Sequence, residues 1–222
     1  MRDRYSIVVG LLFLILVGIA TLHTLSGGGD EETLGLERQP PRWPLPEFAV
    51  PAAAGPLEGD ANVAQDDCES AALPCPEGER RAPACRISVA GAIRVCDLFR
   101  RPLVISFWFT KGGNCADQQD AVSSVYERYR GSVNFLSLDV RDDRETVREQ
   151  VRERGWRMPV GYDRDGAVAS LYRVGGCPTF AYAYPGGTLE SASAGELTVA
   201  QLSARVRRLL AATEKAEAGG GA

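Results

Sequence analysis

Cysteine is the residue type in this chain best placed to do chemistry. There are six: Cys68, Cys75, Cys85, Cys96, Cys115 and Cys177. The stretch "ISFWFTKGGNC" reads as a strand that delivers Cys115 to the start of a helix. A sulfur there meets unpaired N–H groups and the positive end of the helix dipole, which favour a thiolate. Lys111 is close enough in sequence to push the same way. Thiol exchange takes a second sulfur, and Gly112, Gly113 and Asn114 stand where a nearby partner would be sought. Other chemistries are thin. The single histidine, His23, ends an apolar N-terminal run, so the main domain has no Ser-His-Asp or Cys-His pair. A zinc site would rest on cysteines alone, and the lack of any CxxC pair argues against a zinc ribbon. No metal or organic cofactor is implied. A formal net charge of −4 argues against a nucleic-acid partner, which would need a basic face.

An even cysteine count suits disulfides in an oxidising compartment, and the N-terminus supplies one. The run "SIVVGLLFLILVGIATL" is almost wholly apolar at 7–22, near the lower limit of about 17 residues for a membrane-spanning helix. Arg2 and Arg4 precede it and no basic cluster follows at once. The positive-inside tendency therefore places residues 1–5 in the cytoplasm and the remainder outside the cell membrane. A cleaved signal peptide is the alternative, but "TLHTLSGGG" lacks a clean small-x-small cleavage site. The expected organisation is an anchor at 6–25, a flexible linker at 26–45 and a folded domain at 46–214, followed by a disordered tail at 215–222. Residues 52–84 form a cysteine-containing loop insertion in that domain. With 222 residues and 45% apolar content, the chain can bury one ordinary core.

The elements that must position the sulfurs follow from pattern. "EFAV" is a short strand. In "CRISVAGAIRVC", alternation on both sides of Ala90-Gly91 predicts a hairpin in which Cys85 faces Cys96. A bulge at Gly91 would move that register and separate the sulfurs. Cys68 and Cys75 are then left to pair locally, although four cysteines permit three connectivities and sequence does not choose among them. "PLVISFWF" is a strand buried on both faces. Val122, Val125, Tyr126 and Tyr129 have helical spacing after Cys115, and "VNFLSLDV" is a second buried strand. "DDRETVREQVRERG" is a surface helix capped by Asp142 with Glu145, its arginines paired to glutamates along the exposed face. Asp66-Asp67 and Asp142-Asp143 are solvated loop or capping residues. A short helix at 167–172 leads into "VGGCPTFAYAYPGG", a return strand "TLESASAG", and a last helix opened by a Thr198–Gln201 capping box. The order β-α-β-α, then β-β-α, implies an α/β fold with a central mixed sheet and helices on both faces.

Several of these segments together resemble a family. From Pro46 to about Leu210, "LPEFAVP", "DLFRRPLVISFW", "LDV" and "PVGYDRDGAVASLYRVGGCPTF" are similar to membrane-anchored thioredoxin-like proteins of the TlpA/ResA type, within the redoxin (AhpC/TSA) group. The resemblance implies a three-layer thioredoxin-like fold and thiol-disulfide oxidoreductase activity. It also implies thiol or disulfide proteins as extracytoplasmic partners, with a membrane electron donor among them. A monomer is expected. Members read F-W-A-S-W-C-P-P-C after the first long strand. Aligned on Phe107-Trp108, Gly112 falls at the attacking cysteine, Cys115 at the resolving one, and Pro178 at the family's cis-proline. Lys111 replaces the tryptophan before the nucleophile, Gln118 a frequent glutamate, and Asp120 a helix proline. A conventional dithiol cycle cannot run on GGNC.

The resemblance also sets Cys177, just before the cis-proline, beside the start of the active-site helix. The expected mechanism is a redox-active Cys115–Cys177 disulfide, with Gly112 and Gly113 leaving room for substrate. Cα atoms more than about 7 Å apart would exclude it. Four alternatives fit the same residues. The bond is a static staple worth about 2–4 kcal/mol, or the two thiols stay unpaired, with Cys115 an inert core cysteine on the apolar face of Val122 and Tyr126. Or the chain is a peroxiredoxin-like peroxidase, against which Thr110 has the wrong spacing from Cys115 and no preceding proline. Or it is an inactive module that binds extended peptides beside the cis-proline, with Trp108 and Trp156 lining the groove unless they are core.

Overall fold

Strand β1, Phe48–Pro51, is the expected "EFAV" strand displaced by one residue. A computed structural model describes it within residues 35–57, 64–65, 69–70, 73–74, 84–112 and 115–219. The expected anchor at 6–25 and the Cys68–Cys75 pairing lie outside the described residues. Among those described, no helix is long and apolar enough to cross a membrane. Strands β2, Ala64–Gln65, and β5, Ala92–Arg94, flank β1 antiparallel in a small sheet. Strands β3, Glu69–Ser70, and β4, Leu73–Pro74, pair with each other.

The predicted hairpin about Ala90-Gly91 does not form. Its second strand bonds to β1 instead, with Val50 opposite Ile93, and the Ala52 N–H donates to the Gly91 carbonyl at 2.8 Å. Cys85 then sits in a 3-10 turn, Ala84–Arg86, and Cys96 in the short helix α1, Val95–Leu98. The two sulfurs are nevertheless bonded, with Cα atoms 5.7 Å apart. Residues 35–45 are also corrected: they are packed, where a flexible linker was expected. Leu36 and Leu45 are buried, the Leu45 N–H donates to the Gly187 carbonyl at 2.8 Å, and Trp43 meets the ring of Tyr172 edge-on at 6.3 Å. Three large apolar side chains among the prolines gain more from burial than a solvated leash would.

The main sheet holds β6, Leu103–Trp108, β7, Asn134–Asp139, β8, Val160–Tyr162, β9, Thr179–Ala183, and β10, Leu189–Ala194. Their order is β10-β9-β6-β7-β8. β6, β7 and β8 run parallel, and β9 and β10 close the sheet antiparallel. β8 was not separated from its surroundings by sequence pattern, because three residues carry no measurable period. Gly161 within it lets β1 come close: a Cβ there would lie 2.7 Å from Val50 Cγ2.

β6 shows why the run is apolar throughout. Val104 and Trp108 point to one face, joined by Val122 and Val125 of α2, Ala116–Tyr129, and by Leu202, Val206 and Leu209 of α5, Val199–Gly219. Leu103, Ile105 and Phe107 point to the other, where Leu36, Phe48, Val95 and Tyr172 cover them. Val168, on the short helix α4, Ala167–Leu171, joins that second face. Between β7 and β8 lies α3, Arg144–Arg154. Its cap is Asp143, whose carboxylate accepts the Thr146 N–H at 3.0 Å; Asp142, the expected cap, is buried instead. The Thr198–Gln201 capping box forms as expected, with both reciprocal bonds. α5 continues to Gly219, past Lys215 where a disordered tail was expected. Lys, Glu and Ala in that stretch are strong helix formers.

Candidate active site

β6 ends at Trp108, and the chain leaves the sheet through Phe109 and Thr110. It regains regular structure at α2, with Cys115 as the N-cap residue. The Cys115 N–H donates to the Phe109 carbonyl at 3.1 Å, closing this loop. On the neighbouring strand, the Cys177–Pro178 peptide is cis and leads into β9. Phe107 faces Thr179 across β6 and β9. The end of one strand and the start of the other therefore lie side by side, and the topology brings two sulfurs 62 residues apart into contact. Cys115 and Cys177 form a disulfide with Cα atoms 6.0 Å apart. Cys177 Sγ lies 4.0 Å from the same Phe109 carbonyl oxygen, and the Thr179 hydroxyl donates to the Gly176 carbonyl at 2.6 Å, fixing the approach. Both cysteines are half-buried. Cys115 packs against the core under α2, whereas Cys177 belongs to neither core cluster.

The expected loop residues fare differently. The Lys111 ammonium pairs with the Asp143 carboxylate at 3.1 Å, both half in solvent. Gly112 is exposed at φ 85°. A Cβ on it would lie 3.0 Å from Arg141 Nη1, and the Arg141 guanidinium rests over the Phe109 ring at 5.7 Å. Gly113 and Asn114 lie outside the described residues. Trp108 and Trp156 line no groove. Trp108 is fully buried under α2 and meets Trp156 edge-on at 5.3 Å, because its position on β6 points it inward. Gln118 is nearly buried and bonds twice to one residue, donating to the Leu197 carbonyl at 2.9 Å and accepting its N–H at 2.7 Å. An ionised glutamate could not make the first bond. Asp120 accepts from Trp156 Nε1 at 2.7 Å and Arg154 Nη1 at 2.8 Å, and Arg154 reaches Asp117 at 2.6 Å. This ties the first turns of α2 to the end of α3.

Two groups went unnoticed in the sequence. Gln119 is buried and stitches α2 to the sheet, donating to Ser106 Oγ at 2.8 Å and accepting from Ser137 Oγ at 2.9 Å. Asp139, at the end of β7, is also buried. Its Oδ1 accepts the Arg141 and Asp142 amides at 2.9 and 2.6 Å. Burial, opposed by those amides and helped by the adjacent Asp142 carboxylate, pushes Asp139 up to about 8. Asp142 is not solvated as expected; its Oδ2 accepts the Thr110 N–H at 2.6 Å. The available signal was the one charged residue within the buried strand "VNFLSLDV". Among the described residues, Glu47, Cys85 and Cys96 alone cluster as potential metal ligands, but the two sulfurs are bonded to each other and offer no thiolate.

No protein-family model matches the chain. Its sequence is similar to thiol-disulfide oxidoreductase ResA of Oceanobacillus iheyensis, 25% identical over 111 residues that cover 50% of this chain and 58% of that protein. The chain thus matches a little over half the length of that relative. ResA of Bacillus anthracis is 25% identical over 118 residues, covering 53% of this chain and 68% of its own. Among solved structures, the thioredoxin domain of a thiol-disulfide oxidoreductase from Bacteroides vulgatus superposes with a TM-score of 0.53 at 13% identity, covering 77% of this chain and 97% of that domain. The fold is thioredoxin-like. At such identity the likeness concerns the fold alone. The same holds for a Chlorobium tepidum protein assigned as thiol:disulfide interchange protein DsbE, with TM-score 0.56, 13% identity and coverage of 78% and 97%.

Proposed function

We propose that this chain is a thiol-disulfide oxidoreductase whose working sulfurs are Cys115 and Cys177. The observation that carries the proposal is the disulfide between a helix N-cap and the residue before a cis-proline. It replaces the CxxC that the family resemblance leads one to expect, with Gly112 at the position of the lost nucleophile. The sequence relatives bear the name of that activity.

The chemistry balances as follows. A client thiolate attacks Cys177 Sγ, the sulfur outside the core, along the S–S axis. The bond to Cys115 breaks and its electron pair leaves on Cys115, where the N-terminal end of the α2 dipole stabilises the thiolate. A second client thiolate then attacks the client sulfur of the mixed disulfide, and Cys177 leaves as thiolate. The client has lost two electrons and the site has gained them. Run backwards from the reduced site, Cys177 attacks a client disulfide and Cys115 resolves it. The partners are thiol proteins outside the cytoplasm, including a membrane electron donor, and residues 6–25 anchor the chain to the cell membrane.

Replacing one sulfur at a time tests this. In Cys115→Ser the freed Cys177 should attack a client disulfide and accumulate the mixed disulfide, visible on a non-reducing gel; Cys177→Ser should trap none. Trapping by Cys177→Ser alone, or by neither variant, would overturn the assignment. So would a reduction potential well below about −300 mV, the range of structural bridges. Peptide capture that survives loss of both sulfurs would move the function to a binding module.

A further inference from the structure

Two buried acids lie against the loop that leads to Cys115. Asp139 and Asp142 are each fully buried. Asp139 Oδ1 is filled by two backbone N–H groups and Asp142 Oδ2 by the Thr110 N–H at 2.6 Å. The other two oxygens, Asp139 Oδ2 and Asp142 Oδ1, have no donor among the described residues. Two adjacent carboxyl groups with one empty acceptor each are satisfied together by a single proton held between them. We propose that Asp139 carries this proton and donates it to Asp142, and that the pair is a proton-dependent clamp on the redox loop, gripping it through the Thr110 amide. The two are positioning residues: Thr110 leads directly into Lys111, Gly112 and Cys115, whose sulfur is one half of the disulfide.

The charged side chains around the pair have partners of their own. Lys111 is paired with Asp143, Arg141 lies over Phe109, and Arg144 on α3 donates to the Gly55 carbonyl at 2.7 Å. Asp163, at the end of β8, is buried and accepts the Ala169 N–H at 2.9 Å; Asp165 is its charged neighbour. Burial first, then the Asp142 carboxylate, raises Asp139. When the proton leaves, two anions face each other without solvent. Asp139 is fixed in β7 and Asp142 in the following loop, so Asp142 is the group that turns outward, releasing Thr110.

This clamp rests on the redox reading only for its consequence, and its test separates the two. In the full chain labelled with 15N-threonine and assigned with Thr110→Ser, the Thr110 amide should shift with a midpoint near 8. Its hydrogen exchange should accelerate beyond the base-catalysed baseline. The rate constant for disulfide cleavage by glutathione, per glutathione thiolate, should rise severalfold over the same interval. Asp139→Asn, which keeps a donor to Asp142 without titrating, should fold, hold the amide shift and the rate constant flat, and leave hydrogen exchange on the base-catalysed baseline. A wild-type Thr110 amide that does not titrate, or an inflection that survives in Asp139→Asn, would overturn the clamp. If the amide titrates but the disulfide exchanges with no thiol, the clamp stands and the redox proposal falls.

Discussion

At the scale of single residues, Gly112 decides how far this site can revert. The family resemblance puts a cysteine there, but the backbone sits at φ 85°, a conformation that side chains with a Cβ rarely adopt. The space a Cβ would take is bounded by Arg141 Nη1 at 3.0 Å. Gly112→Cys should therefore destabilise the fold by about 1–2 kcal/mol and leave disulfide exchange below the wild-type rate. Urea unfolding and insulin reduction measure the two; a gain in exchange without loss of stability would show that the loop re-forms around the new sulfur. The pairing of Cys177 with Cys115 was expected through the family resemblance alone, which sets the residue before the cis-proline beside the helix start. The duty of Gln118 was not, since a glutamine bonded twice to Leu197 looks in sequence like any polar helix residue.

At the scale of elements, α2 delivers Cys115, and its position depends on polar stitches inside an apolar interface. Gln119 fills Ser106 and Ser137 at once. Gln119→Ala leaves both hydroxyls buried without this partner and opens a cavity, so chemical denaturation should reveal a loss of about 2–4 kcal/mol. A loss under about 0.5 kcal/mol would mean that water or rotation of the serines replaces the glutamine. Alternation along β6 and the 3.6-residue period of α2 were readable because each buries a full face. The hairpin at Ala90-Gly91 was misread for the complementary reason: its second strand alternates correctly, but β1 outcompetes the first strand as its partner, and that partner lies more than forty residues away in the chain. The N-cap of α3 was missed by one residue because adjacent aspartates look alike until one is buried.

At the scale of the whole molecule, buried acids give the fold a definite pH response. Burial raises Asp139 to about 8 and Asp163 to about 7. A carboxyl raised in the folded state ionises first in the unfolded chain. Its contribution is complete below the unfolded value of 3.8 and is lost as pH rises through the folded value. Unfolding by urea should therefore be easier at about pH 9 than at about pH 5, and Asp139→Asn should narrow the difference. Asp143 has the opposite sign: the Thr146 amide, then Lys111, hold it well below the usual carboxylate range, so its contribution disappears only in strong acid. The layered architecture was open to prediction from element order. The docking of residues 35–45 was not, because prolines and glycines obscured the few apolar residues that bind them down.

The 62-residue span of the Cys115–Cys177 bond has a consequence for the life of the molecule. A bond closing a ring of that size restrains the denatured chain by about 4 kcal/mol in the chain-entropy account, against a total stability of about 5–15 kcal/mol for ordinary domains. If each turnover opens and remakes this ring, a spent copy unravels far more often than a charged one. Resident proteases would then clear copies starved of oxidant first, so abundance itself would follow the supply of electrons.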